Sequence, residues 1–224
     1  MLAIPSLHSA PAAANAASEE KKTAPWRPPP LLRPPPSPLT RTLFLSLDRT
    51  LIYTRNRVPV SWWPYDFSVR LTSPEGTDFN LYVVKRPGLD DFLGAAAAYF
   101  EIVLFTTALE WCASPVIDQL DPSGDLISHR LYRDSCVVGP NGELIKDLSK
   151  MGRDLKRAAI VDDVAERFSK QRMNGIKVAP FYDGDRRRDR ELWRVWSVLR
   201  MAVRYDDTWT AVAMYHARRR GFLS

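Results

Sequence analysis

Cysteine and histidine are scarce in this chain of 224 residues, which contains only two cysteines, Cys112 and Cys136, and three histidines. Two cysteines are too few for a disulfide framework, and they have no metal-ligand spacing relative to the histidines. The sequence therefore excludes a disulfide-stapled secreted scaffold and a zinc module. It predicts a reducing intracellular compartment, the nucleus or the cytoplasm.

Long apolar runs are also lacking. The longest candidate, residues 92–105, is shorter than the ~18 residues of a membrane-spanning helix and contains Glu101. The opening of the chain lacks the basic region and the sustained apolar stretch of a secretory signal. Residues 1–18 contain no acidic side chain, as in organellar transit segments, but the first arginine is Arg27. We therefore predict no transmembrane segment and keep the mitochondrion as an alternative location.

Acidic residues do not balance the basic ones, and the formal net charge is +6. Much of the excess lies in two arginine clusters, residues 186–188 and 218–220. Neither cluster is accompanied by the aromatic-interleaved pattern of RNA-binding domains or by zinc-finger spacing. We interpret both clusters as solvated helix ends and expect no direct contact with nucleic acid.

Proline is concentrated at the beginning of the chain, where ten of the 18 prolines precede residue 40. Such stretches favour polyproline II and bury little surface, so we predict a disordered Pro/Ala-rich tail over residues 1–41. A folded domain is expected over residues 42–205. Residues 206–224 have near-helical apolar spacing followed by arginines, which predicts a basic helical tail. The sequence leaves open whether this tail packs on the domain or docks a partner.

From Thr42 onwards, short apolar runs alternate with amphipathic stretches, which is typical of an α/β protein with parallel strands. Two runs flank a turn-like Ser-Pro-Glu-Gly sequence and predict a hairpin. The predicted elements are buried strands at 42–47, 101–106 and 158–162, hairpin strands at 67–71 and 79–84, and helices at 89–100 and 190–203.

Polar side chains follow the three predicted buried strands at their carboxyl ends. In open parallel sheets this edge forms the ligand-binding crevice, so residues distant in sequence converge there. A lysine in the sequence Lys-Asp-Leu-Ser can supply a cation for a phosphate. Carboxylates, hydroxyls and a lysine together suggest magnesium-assisted phosphoryl transfer. The residues concerned are Ser46, Asp48, Thr106, Thr107, Lys146, Asp162 and Asp163.

In their order along the chain, several short motifs resemble the haloacid-dehalogenase superfamily and, within it, the small CTD phosphatase-like domain of FCP homology in its plant-type form. This resemblance implies a Rossmann-like three-layer sandwich with a central parallel sheet and a small β-hairpin insert after the first strand. It also implies bound Mg²⁺ and hydrolysis of phosphoserine or phosphothreonine in proteins through an aspartyl-phosphate. The motifs lie at residues 43–51, 84–88, 103–106, 130–136, 146–149 and 160–163.

The resemblance also implies roles for individual residues. Thr106 and Thr107 would bind the phosphate, Lys146 would neutralise the phosphate and the nucleophile, and Asp48 would act as general acid and base. The family's magnesium ligands correspond to three carboxylates, Asp48, Asp162 and Asp163.

The chain departs from the family pattern at the nucleophile itself, where Ser46 stands in place of aspartate. A seryl-phosphate is a monoester, and uncatalysed hydrolysis of phosphate monoesters is among the slowest reactions known. Loss of the carboxylate is also expected to weaken the magnesium site. Two further departures are Arg49, where the family usually has Glu or Gly, and residues 164–165, where it has Asn-Pro or Asn-Ser.

We therefore predict a degenerate phosphatase-like domain that binds a phosphorylated protein or peptide with low or no turnover. Asp48 lies on the same side of an extended segment as Ser46 and has the chemistry to deprotonate it, so an active serine/threonine phosphatase is one alternative. A second alternative is a component of mitochondrial inner-membrane protein import, because the import receptor of this superfamily resembles the chain more loosely.

Overall fold

The structure is a computed structural model that describes residues 29–57, 64–182, 184, 186, 188–205 and 207–219. Its helices are α1 (Leu89–Ala97), α2 (Glu110–Leu120), α3 (Glu191–Arg204) and α4 (Thr208–Arg219). Its strands are β1 (Thr42–Leu45), β2 (Ile52–Arg55), β3 (Phe67–Thr72), β4 (Asp78–Lys85), β5 (Glu101–Phe105), β6 (His129–Leu131), β7 (Val137–Val138), β8 (Leu144–Ile145), β9 (Ala158–Asp162) and β10 (Gly175–Lys177).

Five parallel strands form the central sheet in the order β10-β9-β1-β5-β6. Strand β1 lies in the middle, where Leu45 is in register with Leu104 of β5 and with Val161 of β9. Because the three strands run in the same direction, the residues that follow them emerge side by side at one edge of the sheet. The predicted α/β fold with a central parallel sheet is confirmed.

Apolar layers cover both faces of the central sheet. Side chains of α1, α2, α3 and α4 pack on one face, together with residues such as Leu43 and Leu45 of β1. The other face carries Phe44 and is covered by short 3-10 turns that bury Leu148 and Phe168. Burial on both sides explains why the middle strands consist almost entirely of apolar residues.

The insert between β1 and α1 is a small antiparallel sheet in the order β2-β4-β3. Strands β3 and β4 form the predicted hairpin, whose turn contains Gly76 with a φ of 81°. Strand β2 extends the hairpin on its other side by pairing Ile52 with Lys85. The predicted hairpin insert is confirmed, and the structure adds this third strand.

Residues 29–41 pack along the face that carries the 3-10 turns. Leu32 is buried there, and the backbone N–H of Leu31 donates to the carbonyl of Lys150 at 2.9 Å. Gly152, with a φ of 67°, lies so close to Pro30 that an added Cβ would be 2.6 Å from the proline Cβ. The boundary expected at residue 41 stays a prediction, and residues 1–28 lie outside the described part of the chain.

Helix α4 packs on the domain, which is one of the two arrangements that the sequence left open for the C-terminal segment. Its residues Ala211, Val212 and Tyr215 are buried, and the Tyr215 hydroxyl donates to the carbonyl of Lys177 at 2.8 Å. The boundary expected at residue 205 stays a prediction. Within the described ranges, no helix is both long and apolar enough to cross a membrane.

Arg86, directly after β4, joins three parts of the fold from a fully buried position. Its guanidinium donates to the carbonyls of Thr50 at 2.9 Å and Ala179 at 2.8 Å. It also forms a two-pronged ion pair with Asp189, with nitrogen-oxygen distances of 2.8 to 3.1 Å. A buried cation is tolerated because its donors are satisfied in this way. Arg86 therefore holds the turn after β1 against the segment that leads into α3.

We expect Arg86→Met to lower the free energy of unfolding by about 3–5 kcal/mol, because Asp189 would remain as an uncompensated buried charge. Arg70→Met provides the control, since Arg70 pairs with Asp78 on the surface with 76% and 47% of their side chains exposed. The control should cost less than about 1 kcal/mol. Urea denaturation followed by tryptophan fluorescence measures both changes. Equal losses in the two variants would show that Arg86 has no special structural role.

Candidate functional site at the carboxyl edge of the sheet

The hydrogen-bond ladder of the sheet continues into the residues that follow the middle strands. The N–H of Ser46 donates to the carbonyl of Val161 at 3.0 Å, and the N–H of Thr106 donates to that of Leu131 at 2.9 Å. Asp162 is the last residue of β9. The sheet therefore brings Ser46, Thr106 and Asp162 to the same edge, as the sequence predicts from their positions after buried strands.

Lys146 lies at the centre of this edge. Its ammonium donates to Ser46 Oγ at 2.9 Å and to Asp162 Oδ2 at 2.6 Å. It also lies 5.6 Å from the centroid of the Phe105 ring. Lys146 and Asp162 are completely buried, and Ser46 is 2% exposed. In this buried triad, the lysine that was predicted to lie in the site contacts one hydroxyl and one carboxylate, both at strand ends.

Burial and charge act together on the ionisation of this pair. Burial lowers the pKa of Lys146, and the neighbouring carboxylate of Asp162 opposes that shift. Burial alone would raise the pKa of Asp162, but the charges of Lys146 and Arg167 lower it below its ordinary value. Asp162 is consequently a carboxylate at neutral pH that is matched by adjacent cations.

Asp48 is half-buried beside the triad, and its carboxylate accepts a hydrogen bond from the Thr54 hydroxyl at 3.2 Å. Burial raises its pKa, against the effects of Thr54, Arg167 and Lys146. Asp48 follows Ser46 by two residues, and the charges of Arg167 and Lys146 act on its pKa, so we assign it to the same edge of the sheet. A carboxyl group with a raised pKa suits general acid and base work, and this role for Asp48 stays a prediction.

Asp163 is bound differently from Asp162. Its Oδ1 accepts from the Thr50 hydroxyl at 3.4 Å, and its backbone N–H donates to the same hydroxyl at 3.2 Å. Its Oδ2 lies 3.3 Å from Nε of Arg49, and its Oδ1 lies 3.4 Å from Nη1 of Arg167. Burial and the adjacent charge of Asp162 raise its pKa.

Arg167 is a member of this cluster that sequence reasoning missed. Its Nη1 lies 3.2 Å from Asp162 Oδ1 as well as near Asp163. It belongs to the 3-10 segment Ala165–Asn174, which is interrupted by non-helical backbone at Phe168 and Gln171. The only sequence signal was its position four and five residues after two carboxylates, which is too weak in an irregular segment.

The two threonines after β5 lie at the same edge but make local contacts. Thr106 is buried, and its hydroxyl accepts from the N–H of Ala108 at 3.1 Å. Thr107 is half-buried, and its carbonyl accepts from Nε of Arg133 at 2.7 Å. The phosphate-binding role of both residues stays a prediction.

The carboxylates do not fit a magnesium site in this arrangement. Hard divalent cations require several anionic or carbonyl oxygens that turn towards one point. Here Asp162 faces Lys146 and Arg167, while Asp163 faces Arg49 and Arg167. Within the part of the chain that the structure describes, no group of three or more His, Cys, Asp or Glu side chains is placed to hold a metal ion. The metal-binding role of Asp48, Asp162 and Asp163 stays a prediction, and this arrangement of side chains gives it no support.

Asp147 supports the segment that carries Lys146. Its carboxylate accepts from the Ser149 hydroxyl at 2.6 Å, the Lys170 ammonium at 2.8 Å and the Gln171 amide at 2.9 Å. The backbone N–H of Lys146 in turn donates to the carbonyl of Arg167 at 2.6 Å. These bonds tie the Lys146 segment to the segment that carries Arg167.

We expect Asp147→Asn to destabilise the protein at neutral pH and to flatten its acid-unfolding profile. Burial opposes the shift, but the bonds from Lys170, Ser149 and Gln171 lower the pKa of Asp147 from 3.8 to about 2. Its contribution is thus complete above pH 3.8 and is lost as the pH falls towards 2. The loss at neutral pH should be about 1–2 kcal/mol.

Thermal unfolding as a function of pH measures this contribution. Asp154→Asn is the control, because the Asp154 side chain is half exposed and caps a separate turn. If the wild-type protein and Asp147→Asn lost stability in parallel as the pH fell from 3.8 towards 2, the role given to Asp147 would be wrong.

The model of one protein family, described as NLI interacting factor-like phosphatase, matches residues 41–208. The chain is 40% identical over 167 residues to a probable C-terminal domain small phosphatase of Dictyostelium discoideum, covering 75% of this chain and 52% of the relative. It is 34% identical over 170 residues to the human carboxy-terminal domain RNA polymerase II polypeptide A small phosphatase 1, covering 76% and 62%. The chain thus spans about half to three fifths of the length of these relatives.

The fold is similar to the solved structure of the fission yeast RNA polymerase II CTD phosphatase Fcp1, with a TM-score of 0.62. This similarity covers 84% of the present chain and 68% of the other, at 20% sequence identity, so it bears on the fold alone. The names of these relatives give no support to the mitochondrial-import alternative.

Proposed function

Because this chain belongs to the NLI interacting factor-like phosphatase family, we propose that it binds proteins phosphorylated on serine or threonine and hydrolyses them slowly or not at all. The observation that carries the proposal is the contact between Lys146 and Ser46. The family resemblance places a nucleophilic aspartate where this chain has Ser46. The buried ammonium of Lys146 therefore contacts the neutral hydroxyl of Ser46, at the position where the aspartyl-phosphate mechanism requires a carboxylate.

The nature of the intermediate supports low turnover. An aspartyl-phosphate is a mixed anhydride that water cleaves readily, whereas attack by Ser46 Oγ would leave a stable monoester. Replacing the nucleophile in other hydrolases costs roughly 10⁶ in kcat. Phosphatases of this family generally use Mg²⁺, and we propose that the site for this ion is weakened here. The proposed ligand contacts are the hydroxyls of Thr106 and Thr107 and the positive charge around Lys146.

A second candidate is a slow but active serine/threonine phosphatase. The feature that favours it is the position of Asp48 two residues after Ser46, and burial raises the pKa of this carboxyl group above its ordinary value. If Asp48 removed the proton of Ser46, the resulting alkoxide would attack phosphorus and the protein-bound leaving group would depart. The same Asp48, protonated, would then supply the proton to the leaving oxygen. To complete a turnover, a water molecule deprotonated by Asp48 would attack the seryl-phosphate, inorganic phosphate would be released, and the departing Ser46 Oγ would take the proton back from Asp48.

The relatives' names and the two thiols suggest the ligand and its setting. The human relative is named for the carboxy-terminal domain of RNA polymerase II, which makes that domain in its phosphorylated form our first candidate ligand. Cys112 and Cys136 are free, and burial raises the pKa of both thiols, which makes them slow to oxidise. We place the protein in the nucleus or the cytoplasm.

We expect a serine-phosphorylated peptide from that polymerase domain to bind saturably, with its unphosphorylated form as control. Turnover of the same peptide should be slow or undetectable, and equal in the wild-type protein and in Ser46→Ala. Fluorescence anisotropy measures binding, and release of inorganic phosphate measures turnover. Lack of saturable binding would count against the proposal. Turnover that Ser46→Ala abolishes would favour the second candidate instead.

A further inference from the structure

Three cations pair with the two strand-end carboxylates, and one of the three bridges them. Lys146 Nζ lies 2.6 Å from Asp162, and Arg49 Nε lies 3.3 Å from Asp163. Arg167 bridges the two carboxylates, with its Nη1 3.2 Å from Asp162 and 3.4 Å from Asp163. The carboxylate oxygens that a divalent cation would need as ligands are thus already in contact with one ammonium and two guanidinium groups.

The formal charges of this cluster already balance. Three carboxylates, of Asp48, Asp162 and Asp163, stand against one lysine and two arginines, which gives a sum of zero when all are ionised. Arginine stays protonated at any physiological pH, so this positive charge cannot be withdrawn. A divalent cation would add two further positive charges beside Asp162 and Asp163, which are already ion-paired. In a buried setting such repulsion is weakly screened.

The three cations differ in their access to solvent. Lys146 is completely buried, but the side chains of Arg49 and Arg167 are 40% and 20% exposed. Each guanidinium has five N–H donors in a planar fork, more than its carboxylate contacts use. The two arginines therefore form the solvent-facing rim of the cluster, where an incoming anion would meet them first.

The backbone fixes the position of Arg49. Among the described residues it is the one non-glycine residue with positive φ, at 58°. This conformation is costly for a long side chain and persists only where surrounding bonds hold it. Here the N–H of Arg49 donates to Ile52 O and its carbonyl accepts from the N–H of Phe181, both at 2.7 Å. The strained turn keeps the guanidinium beside Asp163.

We propose that Arg49 and Arg167 take the place of the family's divalent cation, so that this site binds the phosphate dianion of a phosphoprotein without metal. The inference rests on the proposed function and specifies how its ligand is held. Guanidinium forks match the spacing of two phosphate oxygens and form strong charge-assisted bonds with them. Such a clamp stabilises a bound phosphate ester and supplies no attacking group, in keeping with a binding role.

The test uses inorganic phosphate and O-phosphoserine as probes in isothermal titration calorimetry with the full chain. For each probe, we expect the affinity measured in EDTA to equal the affinity measured in Mg²⁺. Arg49→Gln and Arg167→Gln should each weaken binding by about 10- to 100-fold. Arg70→Gln removes an equal charge from the exposed hairpin and should leave the affinity unchanged. Arg49→Lys should retain part of the affinity, because it keeps the charge and loses the fork.

The outcomes separate this inference from the proposed function. Binding that requires Mg²⁺ and tolerates both Arg→Gln changes would overturn the metal-free clamp while leaving phosphoprotein binding intact. Absence of binding to either probe, and to the phosphopeptide, would overturn both. Circular dichroism of each variant shows whether it is folded. If Arg167→Gln is unfolded, Arg49→Gln and Arg49→Lys still decide the matter, because Arg49 lies on the rim.

Discussion

The buried ion pair between Lys146 and Asp162 constrains the rest of this molecule. A lysine with no solvent access is stable only where its proton donors meet acceptors, and removal of either partner would leave an isolated charge in the interior. Asp162 is fixed by β9, and Ser46 by its backbone bond to the same strand. The segment that carries Lys146 must therefore dock with its backbone against Arg167. The geometry of the candidate site is a consequence of that docking.

The candidate site is continuous with the buried framework that holds the insert. The Thr50 hydroxyl donates to Asp163, and the Thr50 carbonyl accepts from Arg86. Arg86 in turn binds Asp189 before α3. A chain of polar contacts thus runs from the carboxylate cluster through the turn after β1 to the helical layer. The turn that contains Asp48 and Arg49 is therefore held by Arg86 through Thr50. A displacement of Arg86 would shift the carboxylate cluster as well.

The parts of the fold that could be predicted are those whose burial produces a recognisable pattern of apolar residues in the sequence. Strands β1, β5 and β9 are apolar runs because helices or turns cover both of their faces, and α3 has a helical stripe of apolar residues. Helix α1 was predicted from its start after Pro87 and Gly88 and from the two aspartates in its first turn. The three-residue strands β6 and β10 are too short to carry a pattern, and Pro115 obscures α2. In the site, Ser46, Lys146 and Asp162 were predicted from their positions after or between strands. Arg167 was not, because its direction depends on a kinked 3-10 segment, and the left-handed backbone of Arg49 has no signature in the sequence.

The crossing of Pro30 over Gly152 limits how this protein can diversify. A side chain at position 152 would collide with the proline ring, so any bulkier residue there must be accompanied by a change in the path of residues 29–41. Substitutions at the two positions are therefore coupled, although they lie 122 positions apart in the sequence. Orthologous sequences should vary at these two sites together. Glycine should be retained at position 152 wherever residues 29–41 follow this path along the face that carries the 3-10 turns.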